Sequence, residues 1–395
     1  MSRSLEVFLI FLRLGCTSFG GPVAHLGYFR DEFVSKRNWL DETAYADLVA
    51  LCQFLPGPAS SQVGLALGYQ RGGYAGSLAA WLGFTLPSAL ALIAFAYGVM
   101  EYANSMTSGV LSGLKLVALA VVAQAVWGMG KSLCTDAARI TFMLIATVAM
   151  LLFSSLWMQF AIIVVAAVVG AVYFKPSLAA STPTPVPTQR GTKRRASLWL
   201  LAFALLLVGL PLAANHHAVS ADWLAIVDTY FRTGSLVFGG GHVVLPMLEA
   251  EVVPAGWVNE DVFLAGYGAA QAVPGPLFTF AAFLGAAGET STTGWHGGLV
   301  AVVAIFIPSF LLVFGTLPIW QQLRQQTRIR AALNGVNAAV VGLLLAALYD
   351  PIFTRAIHDS FDVAVALTAF VALMYWRCPA WLAVILGGLF GALFL

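Results

Sequence analysis

Gln53-Phe54-Leu55-Pro56-Gly57-Pro58 has a counterpart about 218 residues later, Gln271-Ala272-Val273-Pro274-Gly275-Pro276, again between apolar runs. A Pro-Gly-Pro triplet cannot continue a helix, because each proline lacks an amide donor and the glycine admits positive φ. In a bilayer the backbone groups freed by such a break find no water, so they need partners from the protein. Two breaks at matching places therefore predict a binding site near the middle of a membrane.

The rest of the composition supports that setting. The chain has 395 residues, 60% of them hydrophobic and 10% charged, with mean hydropathy +0.86. Soluble domains carry about 25% charged residues, so a soluble enzyme is excluded. The net charge of +2 carries less information than where the charges lie. Cys16, Cys52, Cys134 and Cys378 are isolated, without the spacing of a disulfide framework or a zinc site. The start Met1-Ser2-Arg3-Ser4 lacks an A-x-A cleavage pattern after a short apolar core and is read as retained.

Residues 5–19 are apolar except for Glu6 and Arg13, and they end at Phe19-Gly20-Gly21-Pro22. A mixed segment to Trp39 follows, and then two short arms, 43–55 and 60–69, flank the first break. Each arm is too short for a core that needs about 20 residues, which predicts a re-entrant hairpin. Spanning helices are expected at 74–100, 113–130, 138–156 and 158–174. A Pro-rich, basic linker occupies 175–196, so the chain divides into a first repeat (1–174), the linker, and 197–395. Beyond the linker, spans are expected at 197–213, 295–322, 331–349, 361–376 and 379–395, with the second hairpin between 262 and 288.

The second half copies the first. Arg13, Phe19-Gly20-Gly21, Trp39, Gln53 and Leu86-Pro87-Ser88 are answered by Arg232, Phe238-Gly239-Gly240, Trp257, Gln271 and Ile307-Pro308-Ser309, at offsets of 217–222. The flanking charges reverse. Arg30, Lys36, Arg37 and Arg71 belong to loops whose counterparts carry Glu249, Glu251 and Glu289, whereas Arg324, Arg328 and Arg330 answer a loop with no basic residue. Because Lys and Arg stay on the cytoplasmic side, the two repeats are expected to be inserted in opposite directions, with the extra span 197–213 between them. The expected fold is an all-α polytopic membrane protein of two inverted repeats with broken helices and about nine full spans. The linker would be cytoplasmic and the C-terminus outside. This count requires 5–19 and 223–238 to enter and return; a helix lying in the interface is the alternative.

A helix starting inside the membrane presents amides and a positive dipole end, which suits an anion. Gln53, Ser60 and Ser61, and in the second copy Gln271 and Thr279, are neutral donors beside the breaks. They are candidate contacts for oxyanion oxygens together with Pro56, Gly57, Pro58, Pro274, Gly275 and Pro276. The alternative is that they cap the freed backbone. Gly20, Gly21, Gly239 and Gly240 shape the two tips. Arg13 and Arg232 occupy matching places in apolar runs, where a guanidinium is costly and its fork fits a tetrahedral oxyanion; snorkelling to the interface is the alternative. Lys115, whose counterpart is Asn337, is either a third anion contact or a helix-end anchor. Asp47, His25 and His242 are candidates to carry a coupling proton, set against surface or structural roles. No metal site and no cofactor are expected.

Ala125-Val126-Trp127-Gly128-Met129-Gly130-Lys131-Ser132 fits a loosened phosphate-loop pattern, but it ends an apolar span and lacks a preceding strand. It is read as a helix end with an anchoring lysine.

Phe19-Gly20-Gly21-Pro22, the Trp39 segment, the Phe54–Pro58 break and their copies at 238–241 and 273–276 resemble the chromate ion transporter family in its long, two-domain form, over nearly the whole chain. The resemblance implies a bacterial inner-membrane exporter of chromate, driven by the proton motive force and conferring resistance. Sulfate or another oxyanion is the alternative cargo. Gly241 stands where the first copy has Pro22, so the two tips need not be chemically equivalent. The implied partners are the oxyanion, protons and the lipid bilayer, with a homodimer as the oligomer considered and no nucleic acid. An uncoupled anion channel and an intramembrane enzyme are the competing classes; no nucleophile–base pair supports the latter.

Overall fold

The computed structural model describes residues 2–102, 108–153, 156–173, 190–214, 222–238, 243–290, 292–320, 326–376 and 378–394. Every regular element among the described residues is helical. The first repeat comprises α1 (Arg3–Thr17), α2 (Gly21–Arg30, widening into a π turn at Asp31–Lys36), α3 (Glu42–Phe54) and α4 (Ala59–Tyr102). It continues with α5 (Ser108–Leu133), α6 (Ala137–Leu152) and α7 (Leu156–Tyr173). After α8 (Arg190–Ala214) the series recurs as α9 (Asp222–Leu236), α10 (Val244–Val252), α11 (Glu260–Ala272), α12 (Phe280–Ala287) and α13 (Gly294–Thr316). It closes with α14 (Thr327–Ala347), α15 (Ser360–Met374) and α16 (Ala380–Phe394).

The copies start their helices with the same devices. Asp41 caps α3 by accepting from the Ala44 amide (2.7 Å), and its counterpart Asn259 caps α11 by accepting from Val262 (2.9 Å). Asp136 and Asp359 do the same for α6 and α15. These caps satisfy amides that a helix start leaves bare. All nine expected spans coincide with helices. Among the described residues, five helices are long and apolar enough to cross a membrane, within 59–101, 109–133, 194–214, 294–319 and 331–356, while α6, α7, α15 and α16 are shorter. Within α4 the 59–71 arm and the 74–102 span are two helices joined by a sharp turn, where Gly72 (φ −140°) and Gly73 (φ 64°) leave helical geometry.

Glycine-lined contacts set the depth of the breaks. The arm of α4 folds back along its own span, with Gly68 against the Gly76 carbonyl and Ser77 Oγ donating to Leu65 O (2.9 Å). The second copy repeats this with Gly285 against Gly297. Helix α1 runs alongside the same span, from Ser4 beside Gly72 to Gly15 on the carbonyls of Gly83 and Phe84. A side chain at Gly15 would sit 2.6 Å from the Gly83 oxygen, so only glycine permits this approach. Helix α1 therefore packs lengthwise on the first part of that span and ends where its tip reaches Phe84.

The repeats interlock. Helix α5 seats α15 and α16, with Gly113 against Gly387, and α14 seats α6 and α7 through the equivalent pair Gly335 and Gly170. Each repeat's last two helices therefore pack on the central helix of the other. Helix α8 lies at the periphery on α9 and α13, with Leu198, Leu201, Leu205 and Leu212 turned outward.

Candidate functional site

The two Pro-Gly-Pro breaks meet the opposite repeat at mid-span. The Gly57 amide donates to the Val237 carbonyl (2.6 Å), at the tip of α9, and the Gly275 amide donates to the Ser18 carbonyl (3.0 Å), at the tip of α1. Both glycines hold positive φ, 114° and 109°. Gly57 lies against Ser309 Oγ and Gly275 against Ser88 Oγ, so each break touches the serine of the other repeat's Pro-Ser motif. Backbone groups released by the breaks are thus satisfied across the repeat interface, which answers the demand that a membrane interior makes.

Around this crossing the polar side chains are buried. His25 is buried, with Nε2 3.1 Å from the Ser18 carbonyl and Nδ1 3.4 Å from Ser60 Oγ. A carbonyl can only accept, so Nε2 carries the proton and Nδ1 accepts from the serine. The ring braces the α1 tip, α2 and the start of α4. Gln62 donates from Nε2 to the Pro56 carbonyl (2.7 Å) and reaches Ser309 Oγ at 3.4 Å. Thr279 Oγ1 donates to the Pro276 carbonyl (2.6 Å), so its hydroxyl caps the second break. Ser18 Oγ, Ser61 Oγ, Gln62 Oε1 and Thr85 Oγ1 are enclosed without a partner among the described residues.

The two breaks differ in what surrounds them. Beside the first lies a cavity of about 630 Å³, lined by Pro22, Gln53, Gly57, Ala59, Ser132 and Asn337, among others. Pro22 is at the start of α2 and Ala59 at the start of α4, so two helix N-termini open onto one space. Helix α5 contributes Ala125, Gly128, Met129 and Ser132, one face at helical spacing. The phosphate-loop-like stretch is therefore helix, with Lys131 resting on Trp127 (4.8 Å). Among the described residues, no Lys, Arg, Asp or Glu lines this cavity. At the second break Phe278, Phe280 and Thr279 are all buried, and Phe280 stands where the first repeat has Gln62.

The two arginines lie outside the cavity lining. Arg13 pairs with Glu32 (2.6 Å) and remains half-exposed. Arg232 is half-buried between Asp228 (2.9 Å) and Glu251 (3.1 Å). Glu32 and Glu251 are repeat counterparts at offset 219, so the Arg–Glu pair itself is duplicated. Lys115 pairs with Asp261 (2.9 Å) at the start of α11, while its counterpart Asn337 lines the cavity. Asp47 is half-buried on α3. Gln271 keeps its Nε2 enclosed without a partner among the described residues. Gly239, Gly240 and His242 lie outside the described residues.

Sequence reasoning missed Gln62, Glu32 and Glu251 as members of this arrangement. The signal for the glutamates was available, since both keep the register of the arginines. Gln62 has no repeat counterpart of its kind. Its only sequence signal is a polar amide inside an apolar arm, four residues after a proline carbonyl.

Two stretches, residues 5–172 and 224–392, match the family model described as chromate transporter. A chromate transport protein of Pseudomonas aeruginosa is 30% identical over 87% of this chain and 80% of its own length. A chromate transport protein of Cupriavidus metallidurans is 27% identical over 93% and 86%, respectively. An uncharacterized transporter of Methanocaldococcus jannaschii is 25% identical over 99% and 94%. No solved structure matches the chain. The chain belongs to the chromate transporter family and is a membrane-embedded helical protein.

Proposed function

We propose that this member of the chromate transporter family is a secondary transporter, not an enzyme, that exports chromate across the bacterial inner membrane and so confers resistance. The observation that carries this reading is the convergence of the α2 and α4 N-termini on one uncharged cavity beside the first break. Helix N-termini and neutral donors stabilise a dianion without a fixed countercharge that would hold it too tightly for release. Gln53, Ser132 and Asn337 supply side-chain donors, and Gly57 keeps the wall free of a side chain. The break at Pro274-Gly275-Pro276 serves mainly to frame the crossing, since Phe278 and Phe280 fill its surroundings.

Arg13 and Arg232 act in this proposal through their pairs with Glu32 and Glu251, setting the positions of the two tips. Lys115 anchors α5 to α11. His25 is the buried titratable group at the crossing and is proposed to carry the coupling proton, with Asp47 as a second acceptor on the cavity's hairpin. The basic linker supports a cytoplasmic position for its side of the protein and a periplasmic C-terminus, with the repeats inverted. Sulfate is the alternative cargo, being of the same shape and charge. The cycle needs one chain, so a homodimer would be an addition to it.

The test is chromate flux in proteoliposomes with an imposed pH gradient and sulfate as competitor. Accumulation that follows the gradient in the wild type and loses that dependence in His25→Gln is the expected result. Downhill flux indifferent to the gradient would replace the transporter with a channel, and sulfate flux without chromate flux would change the cargo.

A further inference from the structure

A second charged site lies at the far end of the first hairpin. Residue 71 is 12 positions beyond Ala59 on α4, roughly 18 Å along the helix from the break. There a cavity of about 280 Å³ is lined by Arg37, Asn38, Trp39, Gln70 and Arg71, with leucines behind them. Arg71 stacks over Trp39 (5.0 Å) and bonds to Glu6 (3.1 Å), and Arg37 bonds to Glu32 (2.7 Å) and approaches Glu6 (4.0 Å). Arg13 and Lys36 complete the group on Glu32. Burial raises the Glu32 carboxyl, but the Arg37 hydrogen bond and the charges of Arg13 and Arg37 outweigh it and hold it below its ordinary value. Glu32 is therefore ionised. Two carboxylates, Glu6 and Glu32, are shared among four cations, Arg13, Lys36, Arg37 and Arg71, and of these six Arg37 and Arg71 line the cavity. Arg71 Nε is enclosed and finds no partner among the described residues, although its terminal nitrogen is engaged.

The second repeat does not build this pocket. Its counterparts of Arg37, Asn38, Gln70 and Arg71 are Ala255, Gly256, Gly288 and Glu289. Duplication kept the fold here and not the charges. Among the described residues the lining presents two guanidiniums and two side-chain amides and no carboxylate, which suits a ligand that brings negative charge and several acceptors.

We propose that the Arg37–Arg71 pocket is an anion-capture site for a tetrahedral oxyanion group, present on one face of the protein only. This deepens the transport reading, on which the identity of the captured group rests: the pocket concentrates cargo at the mouth that precedes the central cavity. A phospholipid headgroup offers the same chemistry, and the experiment separates the two sources.

The test is local labelling in detergent. With Cys16 and Cys378 replaced by serine, Gln70→Cys is treated with small anionic and cationic thiosulfonate reagents, each rate normalised to a free thiol. The two lining guanidiniums, partly offset by Glu6 and Glu32 and screened at physiological salt, should favour the anionic reagent several-fold. Sulfate should slow that labelling while chloride at equal ionic strength does not, and Arg37→Gln should reduce the preference. In nanodiscs, equal rates in phosphatidylglycerol and phosphatidylcholine assign the pocket to the free oxyanion. Selective slowing in phosphatidylglycerol, with no sulfate effect, assigns it to a headgroup and overturns its role in cargo capture. A rate ratio near one, or sulfate acting only as chloride does, overturns the pocket altogether. Because labelling does not depend on flux, a wild type that moves no chromate would sink the transport reading and leave this result standing.

Discussion

Gly57→Ala is the substitution that puts most of the central argument at risk. Gly57 holds φ 114°, and a Cβ there would lie 2.8 Å from Gln62 Nε2 and 3.0 Å from Ser309 Oγ. A non-glycine residue in that region of backbone space costs about 1–3 kcal/mol. Displacing Gln62 also strips the Pro56 carbonyl of its donor, which lies 2.7 Å away, and an enclosed acceptor without a partner costs about 1–3 kcal/mol more. The expected total is about 2–6 kcal/mol. Two other glycines calibrate it. Gly73, with φ 64° and ψ −152°, sits in a region open essentially to glycine but has nothing within 4 Å, so alanine there should cost about 1–3 kcal/mol from the backbone alone. Gly98 is helical with open space around it, and alanine should stabilise by about 0.4–1 kcal/mol. Thermal unfolding in one detergent should rank Gly98→Ala above wild type, then Gly73→Ala, then Gly57→Ala well below. If Gly57→Ala unfolds at or above the temperature of Gly73→Ala, the Gln62–Pro56–Ser309 contact does not hold the break together.

The remaining predictions follow from the same contacts. Arg232→Ala leaves Asp228 and Glu251 buried without their cation and should cost about 2–4 kcal/mol, whereas Arg13→Ala, at a half-exposed position, should cost about 1 kcal/mol or less; comparison of the two melting temperatures checks this. Gln53→Ala should raise the KM for chromate several-fold at unchanged melting temperature, because Gln53 lines the cavity and is exposed within it; an unchanged KM would remove it from the site. Gly113→Val should prevent stable assembly, since a Cβ there would sit 2.0 Å from the Gly387 carbonyl, and a folded, monodisperse variant would contradict the interlocking of the repeats.

Much of this architecture was readable before any coordinates. The helical class, the duplication, the spans and the position of both breaks follow from hydropathy and from proline and glycine chemistry, which act locally along the chain. The paired caps Asp41 and Asn259 belong to the same local level. Charge reversal between Arg71 and Glu289 is likewise visible in sequence and points to opposite insertion. Pairing across the repeats is another matter. That Gly57 bonds to the α9 tip and Gly275 to the α1 tip, or that α5 seats α16 while α14 seats α7, depends on contacts more than a hundred residues apart. No periodicity encodes such contacts.

The same limit separates the two arginines from the cavity. In sequence Arg13 and Arg232 are the conspicuous charges in greasy runs, and a buried charge demands a partner. Whether that partner is a bound anion or a carboxylate of the protein depends on which side chains the fold brings within about 3 Å, a distance at which Coulombic gain offsets desolvation. The tertiary structure brings Glu32 and Glu251 there. It leaves the space beside Pro56-Gly57-Pro58 to uncharged donors, while the twin break closes over its own phenylalanines. Local chemistry along the chain determined that there would be two breaks in a membrane. Packing between distant segments decided that the first of them adjoins an open cavity of about 630 Å³.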